Sequence, residues 1–238
     1  MSKKVKEIKS NKRLQRGMTA RQTITRKIKY YDFRGEWEEA FGHPEASGVW
    51  IVWGNSGNGK TSFVMQLVKY LCLWDTALFF SLEEGRSGTL MQSIRRHKLE
   101  EEGKRVLYYS TTDFAEIKEI IRSHPHRKVV VIDSLQYLDI RMAQYKAFKE
   151  EFSDRTIIFT SHANGEKPRG AVAESIMYDA MQKVQVKSFL AITKGRYLGE
   201  KRYYNVYPKE AEKYWGKTPN IIDGKLAQQK DIDNGDDD

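Results

Sequence analysis

The residues best equipped for chemistry form one run, Gly54-Asn55-Ser56-Gly57-Asn58-Gly59-Lys60-Thr61. Its spacing, G-x-x-x-x-G-K-T, meets the phosphate-binding loop pattern without a mismatch. The glycines let backbone N–H groups curl around phosphate oxygens, Lys60 reaches the β- and γ-phosphates, and the Thr61 hydroxyl holds Mg²⁺. Ser62 completes the nucleotide-binding set. Such a loop works only between a strand and a helix. The apolar run 48–53 reads as the strand, and 62–71, with apolar residues at helical spacing, reads as the helix whose N-terminus adds partial positive charge. The chain is therefore expected to bind a nucleoside triphosphate.

Three further groups stand at the ends of apolar runs. Val129-Val130-Val131-Ile132 runs into Asp133, a Walker B pattern whose carboxylate orients Mg²⁺ directly or through water. Leu78-Phe79-Phe80-Ser81-Leu82 runs into Glu83 and Glu84. Adjacent side chains diverge, so only one of the two glutamates can face a γ-phosphate and activate water as general base. Ile157-Ile158-Phe159-Thr160 runs into Ser161 and His162.

The elements that must position these groups follow from periodicity. Strands are expected over 48–53, 76–81, 106–109, 128–133, 156–161 and 189–193, and helices over 61–73, 89–101, 114–123 and 142–152. Asp113, with Glu116 three residues on, resembles a capping box for the third of these helices. This βαβα alternation means an α/β fold with a mainly parallel central sheet flanked by helices on both faces. Residues 201–207 read as a strand returning from 189–193, which gives a C-terminal β-hairpin. In such sheets ligands bind beyond the carboxyl ends of the strands, where the groups above lie. Phe33, Trp37 and Phe41 are spaced to share one face of a short helix, a packing face rather than a base-stacking platform.

Composition bounds the rest. The 238 residues are 39% hydrophobic and 12% aromatic, which suits one core plus tails. No apolar run approaches a membrane span, and no signal-peptide core follows Met1. The one cysteine, Cys72, reads as a small core residue and fits a reducing, cytoplasmic setting. The net charge of +9 is unevenly placed: residues 1–30 hold 11 Lys and Arg against Glu7, which leaves the remainder with a net charge of −1. Residues 1–30 are read as a basic arm, disordered when alone, that binds nucleic-acid phosphates or docks on a neighbouring subunit. The end of the chain, 231–238, holds five acids and no base.

The order of the motifs supports a resemblance. A P-loop, then Ser81-Leu82-Glu83-Glu84, then Asp133-Ser134-Leu135-Gln136, resembles the RecA-like ATPases, with greatest similarity to the RadA and DnaB-type helicase branches. The resemblance covers residues 48–207. It implies ATP and Mg²⁺ as cofactors, Glu83 as the catalytic base and His162 as a γ-phosphate sensor. Residues 163–170 occupy the place of the family's second DNA-binding loop, so Lys167 and Arg169 are the implied phosphate contacts. Thr193-Lys194-Gly195-Arg196 resembles the family's Lys-x-Arg segment, whose basic pair reaches the neighbouring subunit's ATP site; Arg196 is then an arginine finger and Lys194 its companion.

The implied protein is an oligomeric, DNA-stimulated ATPase, a ring or filament with ATP between subunits, acting on DNA (single-stranded above all) in recombination, annealing or replication beside a partner protein of that machinery. The alternative is a nucleotide-switched loader or regulatory protein with little hydrolysis; a small-molecule kinase fits less well because no arginine-rich lid is seen. Residues 31–215 would form the ATPase core and 216–238 a tail with an acidic end. No primase-binding domain and no zinc-ribbon cysteines accompany the core, which looks like the minimal versions carried by phages and mobile elements in bacterial or phage-infected cells.

Overall fold

A computed structural model describes residues 17–217 and 219, together with the backbone of 221–222 and 225–226. The basic-arm reading for residues 1–16 and the acidic-end reading for 231–238 lie outside the described residues. Within 17–30, Thr19 caps a five-residue helix, α1 (Ala20–Ile24), which buries none of its residues.

Eight strands form one continuous sheet: β1 (Gly48–Gly54), β2 (Ala77–Ser81), β3 (Val106–Tyr109), β4 (Val129–Asp133), β5 (Thr156–Asn164), β7 (Gln182–Lys187), β8 (Leu190–Thr193) and β9 (Tyr203–Asn205). Their order is β3-β2-β4-β5-β1-β7-β8-β9, and the two-residue strand β6 (Lys167–Pro168) hangs antiparallel on the end of β5. From β3 to β7 every pairing is parallel, and β7-β8-β9 is an antiparallel meander. This is the expected α/β architecture, C-terminal hairpin included.

Each central strand is buried on both faces, so alternate residues feed two cores. Trp50, Val52, Phe79, Val131 and Ile158 face α3 (Lys60–Leu71), while Ile51, Trp53, Phe80, Ile132 and Phe159 face α5 (Phe114–Ser123), α6 (Met142–Glu151) and α7 (Ala171–Asp179). The apolar stripe of α3, Phe63, Val64, Leu67, Val68 and Leu71, is wholly buried. At roughly 1.5–3 kcal/mol for each such side chain, it fixes the helix on the sheet and the P-loop at its start. An aromatic cap covers this face. Trp37 stacks on Tyr204 at 4.1 Å and on Tyr70 at 5.1 Å between ring centres.

The departures from expectation have local causes. α2 (Glu36–Phe41) starts after Gly35, so Phe33 lies upstream of the helix it was expected to share, yet packs against Trp37 in the same cluster. The helix expected over 89–101 is two pieces. α4 (Gly88–Arg96) is capped by the Ser87 hydroxyl and stops where Lys98 turns to φ 53°; a 3-10 segment, Leu99–Arg105, follows. The residues 163–170, expected as an open loop, are largely a hairpin of β5 and β6 turning at Gly165. Both β7 and α7 were missed altogether. β7 lies directly beside β1, but its buried residues include Gln182 and Gln185, which break the apolar pattern. Among the described residues no helix is long and apolar enough to cross a membrane.

Candidate active site

The P-loop follows β1, as its sequence demands, and Gly59, at φ 94°, is the N-cap of α3. That backbone angle lies in the left-handed region, which a side chain disfavours. Lys60 is 9% exposed, and its ammonium donates to the Asn55 carbonyl at 3.0 Å, across its own loop. Burial pulls its pKa below the usual lysine value, while Asp133 and Glu83 act in the opposite sense and favour the charge.

Asp133 ends β4 beneath the loop. Its Oδ2 accepts from the Thr61 hydroxyl at 3.4 Å, and its Oδ1 accepts from the Thr160 hydroxyl on the neighbouring strand. These are hard oxygen donors, few in number, beside a phosphate cradle. The set fits Mg²⁺, which is held by one or two protein ligands plus substrate phosphates. Thr61 and Asp133 would hold it, and its role when bound is to neutralise charge on the phosphates.

Burial pushes the Asp133 carboxyl up to about 6; the Thr160 bond opposes this, and Glu83 and Glu84 add to it. A carboxyl that stays protonated in the folded protein up to about pH 6, against about 4 when unfolded, favours the fold at low pH. That contribution is lost as pH rises from about 4 through 6, and the displacement corresponds to about 3 kcal/mol. Asp133→Asn should therefore make the metal-free protein more stable than the parent at pH 7.5 and leave the two equal near pH 4. Denaturant midpoints at both pH values check this; equal destabilisation at both would contradict it.

Glu83 and Glu84 follow β2, and they do diverge. Glu84 accepts from the Thr89 hydroxyl at 3.2 Å, in the first turn of α4. Glu83 turns to the other side: its Oε2 lies 3.2 Å from Nε2 of His162 and accepts from the Ser134 hydroxyl at 3.3 Å. Glu83, His162, Lys60, Thr61 and Asp133 thus meet at the carboxyl ends of β1, β2, β4 and β5. Glu83, Lys60, Thr61 and Asp133 line a cavity of about 290 Å³ together with Glu84, Ser56 and Ser62. Glu83→Gln keeps the shape of this group and removes its basicity. Turnover is expected to fall by about 10²–10⁴-fold with nucleotide affinity retained, as single-turnover and binding assays would read.

Gln136, quoted in the motif but given no role, proves to be a clamp. Its amide donates to Ser161 Oγ at 2.8 Å and to the Arg169 carbonyl at 3.0 Å, and its carbonyl oxygen accepts from the His162 backbone N–H at 3.0 Å. It ties the β4 end to the β5–β6 hairpin. Of the two expected phosphate contacts there, Lys167 is ion-paired with Glu174, whereas Arg169 is exposed at the rim of a second cavity beside Gly170 and Ala171.

Lys194 and Arg196 are not brought to this site. β7 runs parallel to β1, and the chain returns along β8, so Thr193 pairs with Val184 and the Arg196 N–H donates to the carbonyl of Met181, which is itself bonded to Val49. Lys194 lies opposite Lys183 in mid-strand, with its ammonium reaching back to Gln185 beside Trp53, whereas Arg196 stands at the amino ends of β1 and β7, and the P-loop at their carboxyl ends. The separation is about 17 Å, five residues at ~3.3 Å each. Lys194 donates to Gln185 Oε1 at 2.8 Å, and Arg196 is exposed. Gly195 between them sits against Gln182: a Cβ at this position would lie 1.6 Å from the Gln182 Oε1 atom. Only glycine lets the segment fold back on β7.

No sequence-family model matches the chain, and no curated protein sequence matches it either. Solved structures do. A KaiC-like protein of the hyperthermophilic archaeon Pyrococcus horikoshii superposes with a TM-score of 0.51 at 18% identity, covering 67% of this chain and 84% of its own. The flagellar accessory protein FlaH of Methanocaldococcus jannaschii gives a TM-score of 0.52 at 17% identity, covering 71% of this chain and 88% of its own. At such identities the likeness speaks for architecture alone. With the mostly parallel sheet and the P-loop at the carboxyl end of β1, it identifies the chain as having the RecA-like P-loop fold.

Proposed function

We propose that the protein is an ATPase whose complete catalytic site forms between two copies of the chain, over an ATPase core at 31–215. One observation carries the reading. Lys60, Thr61, Asp133, Glu83 and His162 converge at one end of the sheet, while exposed Arg196 stands at the other end, about 17 Å away along β7. Head-to-tail stacking would bring Arg196 of one copy to the cavity of the next, a heterologous contact that closes into a ring or continues as a filament.

In that composite site Lys60 and the loop N–H groups hold the β- and γ-phosphates. Glu83 takes a proton from the attacking water, and His162, at 3.2 Å from Glu83, senses the γ-phosphate and orients the base. Oxygen–phosphorus bond formation by that water and loss of ADP place negative charge on the transferred group. Arg196 of the neighbour stabilises that charge, with Lys194 as its companion.

We further propose single-stranded DNA as the polymer acted upon, within recombination, annealing or replication. The support is the Gln136 clamp, which links His162 to the segment bearing exposed Arg169. ATP turnover measured with and without single-stranded DNA tests this. Stimulation is expected, and Arg169→Ala should cut it while sparing the basal rate; an unstimulated parent would favour the nucleotide-switched loader instead. We also propose closeness to the RadA and DnaB-type branches, supported by the order of the motifs, and a phage or mobile-element source, supported by the core's likeness to their minimal versions.

A further inference from the structure

The cavity at the P-loop has two unlike ends. Lys60, Asp133 and Glu83 line one end, and the phosphates belong there. Beyond Ser62 the lining changes to Phe189, Tyr207 and Arg96. These come from the β7–β8 turn, the segment after β9, and the last turn of α4. None of them belongs to the phosphate-binding motifs.

The two rings are held in place. Phe189 has φ 64°, and its N–H donates to the Asn58 carbonyl at 3.1 Å, while the Ser188 N–H donates to Asn58 Oδ1 at 2.7 Å. The P-loop itself therefore pins this turn, and the Phe189 ring lies over Gly59, 3.2 Å from where a Cβ would stand. Tyr207 meets Phe189 edge-on, with ring centres 5.7 Å apart, and its hydroxyl lies 3.0 Å from Ser62 Oγ and 3.4 Å from His97 Nε2. Both rings are only partly buried, which leaves apolar surface turned to the cavity. Arg96 is exposed, and among the described residues its guanidinium makes no hydrogen bond or ion pair.

We propose that Phe189, Tyr207 and Arg96 form the nucleobase site, holding the base by stacking and cation–π contact rather than by reading its edge. The inference rests on the P-loop reading and extends it to the substrate class. Aromatic faces and a planar guanidinium stack on any base. Telling adenine from guanine needs fixed donors and acceptors against the exocyclic groups. At this end of the cavity the described side chains offer the Ser93 hydroxyl, which both donates and accepts, the Tyr207 hydroxyl, already engaged by Ser62 and His97, and Arg96, which only donates; none is a fixed donor–acceptor pair. The site should therefore take purine nucleoside triphosphates with little choice between them.

Calorimetric titration of the full chain with Mg·ATP, Mg·GTP and inorganic tripolyphosphate tests this. ATP and GTP are expected to bind within about tenfold of each other. Tyr207→Ala and Arg96→Ala should each weaken ATP by about 10- to 100-fold, the value of one base stack, and leave tripolyphosphate within about twofold. Tyr207→Phe, which keeps the ring, should retain ATP binding. Arg96→Ala removes an exposed side chain and spares the fold. Unchanged ATP affinity in it and in Tyr207→Ala, an equal loss for tripolyphosphate, or a preference for ATP above about 100-fold would overturn the base site while leaving the P-loop intact. Failure of the parent to bind both ATP and tripolyphosphate would overturn the P-loop reading and the base site with it.

Discussion

Lys60→Ala is expected to lower ATP turnover by roughly 10²–10³-fold, the usual consequence of deleting one preorganised charge from a transition-state cradle. The structure gives the reason for so large an effect. Lys60 as a residue is 9% exposed, its ammonium feels the charges of Asp133 and Glu83, and it donates to the loop carbonyl of Asn55. Its charge acts where water screens it poorly and needs no reorganisation when the γ-phosphate leaves. The substitution also removes the positive charge that offsets Asp133 and Glu83 beside the cradle, which penalises bound phosphate further. Turnover at saturating Mg·ATP, with affinity measured separately, checks this. Undiminished turnover in a clean preparation would remove the P-loop assignment.

Arg196→Ala should act differently. Arg196 is exposed and about 17 Å from its own P-loop, so an isolated subunit should bind nucleotide as well as before. Turnover should nevertheless drop about 10³-fold or more at concentrations where subunits assemble, the range expected for loss of an arginine supplied in trans. A second signature follows from geometry alone. The parent's specific activity should rise with protein concentration as composite sites form, and the Arg196→Ala protein should lack that rise. A concentration series with both proteins reads this directly; a variant that turns over normally at high concentration would refute the finger role.

The candidate site was legible in sequence wherever one of its residues follows a contiguous apolar strand. Gly54–Thr61, Glu83, Asp133 and His162 all do, because buried parallel strands read as apolar runs and their carboxyl ends are where ligands bind. β7 was hidden by Gln182 and Gln185. Their partners are distant in sequence: the Gln182 NH2 donates to the Tyr197 carbonyl while its Oε1 stays unpartnered, and Gln185 bonds Glu166 and Lys194, which no local pattern reveals. With β7 missing, the position of Arg196 relative to the P-loop could not be read either, since β7 sets that separation. For α7 a signal was present: Ala173, Ile176 and Ala180 are buried at helical spacing. The aromatic end of the cavity had none, because Arg96, Phe189 and Tyr207 come from three separate segments and meet only in the fold.

The proposed sharing of each active site between two chains is open to a mixing experiment. The Lys60→Ala protein keeps a sound basic pair and lacks a working P-loop; the Arg196→Ala protein has the reverse defect. Each alone should be nearly inactive. Mixed at equal, high concentration, they should form sites that pair the intact P-loop of one with the intact Arg196 of the other, and turnover should recover to a substantial fraction of the parent's. A mixture that co-assembles yet stays as inactive as its components would contradict the shared site.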